Sequence, residues 1–137
     1  MAFKPDGEVR EAREALAQVT EFDSATVKAL AEAGTLITVP ARWSVIFEQT
    51  PADKAYILLD GEVEIRKSGE TVTTLGPGSV IGEIALVKRQ LRSASVIATT
   101  RIKALHFTDE AVESLLEKNP AFAEALNAAA DDRLAST

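Results

Sequence analysis

The chain contains no cysteine. Disulfides, thiolate metal sites and cysteine nucleophiles are therefore excluded. It also lacks any apolar run near the roughly 20 residues that a membrane-spanning helix needs. The first residues, MAFKPDGEVREAREAL, carry no apolar core of the secretory type. A cytoplasmic location is the default expectation. Positive charge is in short supply: 15 Lys and Arg face 21 Asp and Glu, for a net charge of −6. Such a surface repels nucleic-acid phosphates and anionic lipid, so neither nucleic acid nor membrane is expected as a partner. The one basic cluster, Lys88, Arg89 and Arg92, is too small to reverse that and suits a single small anion instead. The single histidine, His106, has no acid, nucleophile or metal ligand near it in sequence and reads as structural.

The 137 residues suit one domain with one core. Two short helices come first. Val9, Ala12, Leu16 and Val19 recur at helical spacing over Glu8–Val19. Ser24 is placed to cap a second helix, with Val27, Leu30 and Ala31 on one face and Gly34 at its end. The pattern then turns to short alternating runs, as in Glu62-Val63-Glu64-Ile65-Arg66 and Thr71-Val72-Thr73. Turn signals recur at Pro40, Asp60-Gly61, Ser68-Gly69 and Gly76-Pro77-Gly78, and Lys67-Ser68-Gly69-Glu70 is a hairpin connection. Trp43 is expected to pack at a turn. About seven or eight strands so spaced predict a small antiparallel barrel or sandwich. After Phe107 the helical period returns, with Thr108 as N-cap, Asp109 and Glu110 in the first turn, and Ala111, Leu115 and Leu116 inward. Asn119-Pro120 restarts a last helix running through Leu134.

The chemistry concentrates in Ile81–Val96. Gly82 has no side chain, so a ligand can lie against its backbone. Glu83, Ile84, Ala85 and Leu86 can start a helical turn whose free amides point at an anion. Arg92 offers a planar fork for two phosphate oxygens. Ser93 adds a hydroxyl, and Ala94 an amide. A carboxylate at Glu83 would repel a phosphate unless it accepts hydrogen bonds from a neighbouring ribose hydroxyl. Arginine for phosphate and glutamate for sugar together read a nucleotide. Glu83 acting only as an ion-pair partner of Arg92 is the plainer alternative.

Gly82-Glu83-Ile84-Ala85-Leu86, followed at the right spacing by Arg92-Ser93-Ala94, resembles the phosphate-binding cassette of the cyclic nucleotide-binding domain family, the type found in catabolite activator protein and protein kinase A regulatory subunits. Tyr56–Ile65 resembles the family's strand–glycine–strand segment, and Leu75–Ile81 its lead-in to the cassette. The resemblance covers roughly residues 20–135. It implies an α+β, mainly β fold: an antiparallel, jelly-roll-like β-roll of about eight strands with N-terminal and C-terminal helices. The chain then divides into helices over 1–34, a roll over 35–107 with the cassette at 81–96, and helices over 108–137. The resemblance implies cyclic AMP as ligand, with cyclic GMP as the alternative, and no cofactor or metal. It puts Glu83 on the ribose 2′-hydroxyl and Arg92 on the cyclic phosphate. Gly82, Ile84, Ala85, Ser93 and Ala94 supply further contacts, Val72 and Thr73 lie under the base, and Arg133 and Thr137 reach it from the last helix.

Two positions depart from the family pattern. Leu91 stands where proline is common before the arginine, and Ile81 where an aromatic residue is common before the glycine. No helix-turn-helix, kinase, channel or acetyltransferase segment follows within the 137 residues. The expectation is a sensor whose C-terminal helices respond to ligand and signal to an effector protein of unknown identity. Leu126 and Ala128–Ala130 offer a small face for a homodimer. No nucleophile with a base, metal cluster or second acid suggests an enzyme. The rivals are a roll that binds partners but no nucleotide, and a phosphodiesterase.

Overall fold

Asp23 begins helix α2 (Ser24–Ala33): its side chain accepts a hydrogen bond from the Thr26 amide at 2.8 Å. That contact, and a second from the Thr26 hydroxyl, hold the Asp23 carboxyl below the usual carboxylate range. The cap thus falls on Asp23, one residue before the expected Ser24, because the carboxylate reaches the third residue on. Gly34 ends α2 in an extended conformation, φ −89° and ψ 168°, without the left-handed turn that a terminal glycine commonly makes. Close packing explains the glycine instead: a Cβ there would lie 2.5 Å from Leu105 Cγ and 2.9 Å from Phe107 Cε1.

The computed structural model describes residues 6–50, 53–81, 94–120 and 122–124. Helix α1 (Asp6–Val19) and α2 precede eight strands. These are β1 (Thr35–Val39), β2 (Ser44–Ile46), β3 (Lys54–Asp60), β4 (Val63–Lys67), β5 (Glu70–Leu75), β6 (Val80–Ile81), β7 (Ser95–Ala98) and β8 (Ile102–Thr108). Helix α3 (Asp109–Lys118) follows. The strands form two antiparallel four-stranded sheets, in the orders β1-β8-β3-β6 and β2-β7-β4-β5. The roll and its flanking helices are thus as expected. Thr108 caps α3, accepting from the Ala111 amide at 3.1 Å, with Asp109 and Glu110 in the first turn. Val112 and Leu115 are its buried residues, while Ala111 and Leu116 are half-buried. Residues 120 and 122–124 are helical again. The remainder of the expected last helix lies outside the described residues.

The two sheets are covered differently. In the first, Ala55, Ile57, Leu59, Leu105 and Phe107 face a helical core that includes Leu16, Leu30, Leu115 and Phe122. Tyr56, Leu58, Ile102 and Ala104 face the interior of the roll with Ile46, Val63, Ile81, Val96 and Ala98. Both faces of β3 and β8 are therefore buried, and β3 is apolar from Ala55 through Leu59 without alternation. The second sheet buries only its inner face. Its edge strand β5 is exposed along most of its length.

The hairpin between β4 and β5 turns at Ser68 and Gly69, both at positive φ (52° and 82°). This is the expected two-residue connection, with a backbone twist that suits the flanking strands. Trp43 departs from expectation. Its turn is fixed by hydrogen bonds from the Arg42 amide to the Ala98 carbonyl and from the Ala98 amide to the Trp43 carbonyl. That backbone arrangement leaves the indole outside the roll, 64 % exposed.

The lead-in to residue 82 is held against β3 and against the end of α1. The Gly78 amide donates to the Leu58 carbonyl at 2.7 Å, and the Leu58 amide to the Ser79 carbonyl at 2.9 Å. Gly78 has φ +94°, and a Cβ there would run into the Val19 carbonyl at the end of α1. Strand β6 then divides its two residues: Val80 packs on the helical core and Ile81 is buried in the roll.

Candidate functional site

The segment that carries the motif starts from one sheet and ends in the other. Ile81, the last residue of β6, pairs with Tyr56 of the first sheet. Ser95, the first residue of β7, pairs with Arg66 of the second. Gly82, Glu83, Ile84, Ala85, Arg92 and Ser93 lie outside the described residues, as do Arg133 and Thr137. Ala94, Val72 and Thr73 are described: Ala94 is half-buried, and the other two are exposed on β5.

The pairing register brings Thr73 to the inner face of the second sheet. Ile46 pairs with Val96, Val96 with Ile65, and Ile65 with Thr73. The first two are buried in the roll and Ile65 packs against them, so Thr73 extends the same row to the open edge. Val72 is the extra residue of a bulge, since Ile65 pairs with Thr73 but Arg66 with Thr71. It is 47 % exposed, which leaves an apolar side chain uncovered beside the row that begins at Ile46. Val72 and Thr73 thus sit on the exposed edge strand β5, at and beside its bulge.

The far end of the motif is fixed by a contact that sequence reasoning missed. The Ser95 hydroxyl accepts from the Glu48 amide at 2.9 Å. The Glu48 carboxylate in turn accepts from the Ser68 amide at 3.1 Å. One residue of the β2–β3 loop therefore ties β7 to the β4–β5 hairpin. No local pattern could reveal this, because Glu48 and Ser95 are brought together by the β2–β7 pairing.

The sequence marks His106 as structural, and its surroundings are more specific than that. Its ring lies 5.3 Å from that of Tyr56 with 52° between the planes. Its pKa is lowered from the ordinary 6.5, first by burial and then by the charge of Lys54, with Asp53 opposing. The strand period is the signal that places it: His106 has the same parity as the inward Ile102 and Ala104. Among the described residues there is no group of three His, Cys, Asp or Glu placed to hold a metal ion. No described helix is long and apolar enough to cross a membrane.

A small antiparallel roll of two four-stranded sheets, with the motif running in sequence between β6 of one and β7 of the other, defines the fold class. The family model for the cyclic nucleotide-binding domain matches residues 36–119, from β1 through α3 with the whole motif inside. The chain belongs to the cyclic nucleotide-binding domain family. It is 36 % identical over 89 residues to the cAMP-dependent protein kinase regulatory subunit of Yarrowia lipolytica, covering 64 % of this chain and 24 % of that protein. Among solved structures, the regulatory domain of Toxoplasma gondii PKA with cAMP superposes with a TM-score of 0.68 at 22 % identity, covering 82 % of this chain and 46 % of that one. The c-di-GMP responsive global regulator CLP of Xanthomonas campestris superposes with a TM-score of 0.72 at 20 % identity, covering 84 % and 61 %. The chain spans about a quarter or less of the length of the curated relatives it matches.

Proposed function

We propose that this chain is a cyclic nucleotide sensor that binds cyclic AMP at residues 82–94 and signals by moving its C-terminal helices. The observation that carries the reading is the family match across residues 36–119, which contains every residue of the motif Gly82-Glu83-Ile84-Ala85 and Arg92-Ser93-Ala94. Cyclic AMP is favoured because the kinase regulatory subunits among the relatives carry it in their names, and a solved neighbour holds it. In this reading Arg92 pairs with the cyclic phosphate through its fork, and Ser93 and the amides of Ile84, Ala85 and Ala94 complete the anion site. Glu83 accepts from the ribose 2′-hydroxyl. Gly82 lets the ligand approach the backbone. Val72 and Thr73 line the base side, and Arg133 and Thr137 close over it.

A ligand shifts a helix equilibrium only by its differential contact with the two arrangements. The part of the chain able to give that difference is the segment from α3 onward, residues 108–137. Its response would expose or hide a surface for an effector protein, or for a second copy through Leu126 and Ala128–Ala130. The reading needs no metal or cofactor, assigns no catalytic step and goes with a cytoplasmic location.

Calorimetric titration of the purified chain with cyclic AMP, cyclic GMP, cyclic di-GMP and ATP tests it. Heat with cyclic AMP at micromolar ligand supports the reading; no heat with any of the four at high micromolar concentration leaves the roll as a partner-binding module. Release of 5′-AMP during the titration would make it a phosphodiesterase. Preference for cyclic GMP would keep the site and change its base. Glu83→Ala is expected to lose discrimination between cyclic AMP and its 2′-deoxy analogue, because only the parent carboxylate distinguishes the hydroxyl. Equal discrimination in parent and variant would remove Glu83 from the sugar.

A further inference from the structure

Each sheet has two edge strands, and three of the four are blunted. Strand β6 has two residues, and β2 has three and is bulged against β7. Strand β1 is half-buried at three of its five residues, and its Leu36 amide donates to the Glu8 carboxylate of α1 at 3.2 Å. Strand β5 is the exception. It runs for six residues, ETVTTL, five of them exposed, and among the described strands only β4 pairs with it. Its one charge, Glu70, stands at its first position, and the four residues that follow are β-branched. An open edge of this kind is a template for another strand.

The bulge sets what that other strand must look like. The positive φ of Ser68 and Gly69 closes the hairpin on Lys67 and Glu70 as a hydrogen-bonded pair. Pairs then alternate, so Thr71 turns its amide and carbonyl away from β4. Beyond the extra residue Val72, Thr73 returns to β4 opposite Ile65, and Thr74 turns away again. The outward groups at Thr71 and Thr74 are thus one residue further apart than in a regular strand, where every second residue faces outward.

We propose that β5 pairs antiparallel with β5 of a second copy of this chain, Thr71 of each against Thr74 of the other. A strand with the same bulge repeats the wider spacing, and a two-fold axis between Val72 and Thr73 supplies it. The pairing covers Val72, the exposed apolar residue of the edge, with Thr73 of the other copy. It also sets each Glu70 opposite Leu75, so the two carboxylates stand at opposite ends of the joint. Parallel pairing would put them side by side, which is unfavourable. Two such short edges bury far less than a standard interface, so the association is weak, with a Kd on the order of 0.1–1 mM. The inference is independent of where a nucleotide sits, and it uses other residues than Leu126 and Ala128–Ala130.

Sedimentation equilibrium of the whole chain between about 10 μM and 1 mM tests it, with amide exchange followed by NMR over the same range. The average mass is expected to rise towards twice that of one chain, and exchange at Thr71 and Thr74 to slow as it does. Thr74→Pro removes an outward donor, a change that an edge strand tolerates, and is expected to hold the protein monomeric. Thr71→Lys with Thr74→Lys places like charges opposite each other and is expected to weaken the dimer roughly tenfold. Thr71→Lys with Thr74→Glu places opposite charges there and is expected to dimerise at least as well as the parent. The two double variants decide the matter even if the proline unfolds the roll. A parent that stays monomeric throughout the range, or a dimer indifferent to these changes, overturns the proposal. A dimer lost on Leu126→Glu and kept in the β5 variants overturns it as well, and moves the joint to the last segment. Failure of cyclic AMP to bind removes the cassette reading and leaves this dimer standing.

Discussion

Arg92→Ala is expected to weaken cyclic nucleotide binding by about 2–5 kcal/mol, the cost of truncating one partner of a buried, hydrogen-bonded charge pair. That is about 30-fold to several thousand-fold in Kd. Much of the loss comes from leaving the ligand phosphate desolvated without its fork. Arg92→Lys should recover only part of it, because an ammonium is a point charge and cannot meet two oxygens in one plane. Isothermal titration of the parent and both variants gives the three affinities directly. An Arg92→Ala variant that binds as the parent does would place the phosphate elsewhere. Unfolding of the ligand-free variants should be nearly unchanged, which separates a binding defect from a folding one.

Gly78→Ala is expected to destabilise the fold by about 2–6 kcal/mol. Two costs combine there: about 1–3 kcal/mol for a side chain at the left-handed φ of +94°, and a similar amount for forcing apart packed groups. The group in the way is the Val19 carbonyl, which is main chain and can yield only if α1 moves. Gly76→Ala is the matched control two residues away. A Cβ at Gly76 meets nothing within 4 Å and its φ is not in the left-handed region, so a change of no more than about 0.5 kcal/mol is expected. Urea unfolding of the pair decides the matter: equal midpoints would mean that α1 does not rest on the lead-in. Gly78 also donates to Leu58, one strand from Val80 and Ile81, so its loss should loosen the root of the cassette and lower ligand affinity as well.

Arg92 and Gly78 differ in how far the amino-acid sequence reveals their roles. Arg92 belongs to a local motif, Gly82–Leu86 and Arg92–Ala94, whose expected chemistry is read from spacing along the chain, and Arg92 itself lies outside the described residues. The β4–β5 hairpin is legible for the same reason: Ser68 and Gly69 set its turn locally. So is the cap at Thr108. The first cap of α2 falls one residue from its expected place because Asp23 and Ser24 are both able to cap, and only the geometry of Thr26 chooses between them. Strand β3 offers no alternation to read, since helices cover its second face. Gly34 looks like a helix terminator by conformation and is one by contact, with Leu105 some seventy positions away. Gly78 belongs with it, since the Val19 carbonyl that excludes a side chain there comes from α1. The Tyr56–His106 ring pair and the Glu48–Ser95 tie depend on strand register between distant segments, which no local pattern specifies.

The unequal covering of the two sheets has a mechanical consequence. Opening β3 or β8 would expose apolar residues on both of their faces at once, so these strands belong to the most stable unit of the fold. Strand β5 has little to lose: it is an edge, it is bulged at Val72, and most of its residues already meet water. The roll is thus a stiff back plate facing a compliant lip. The motif starts from the plate at Ile81 and rejoins the lip's sheet at Ser95. The motif thus joins the doubly covered sheet to the one that is covered on a single face.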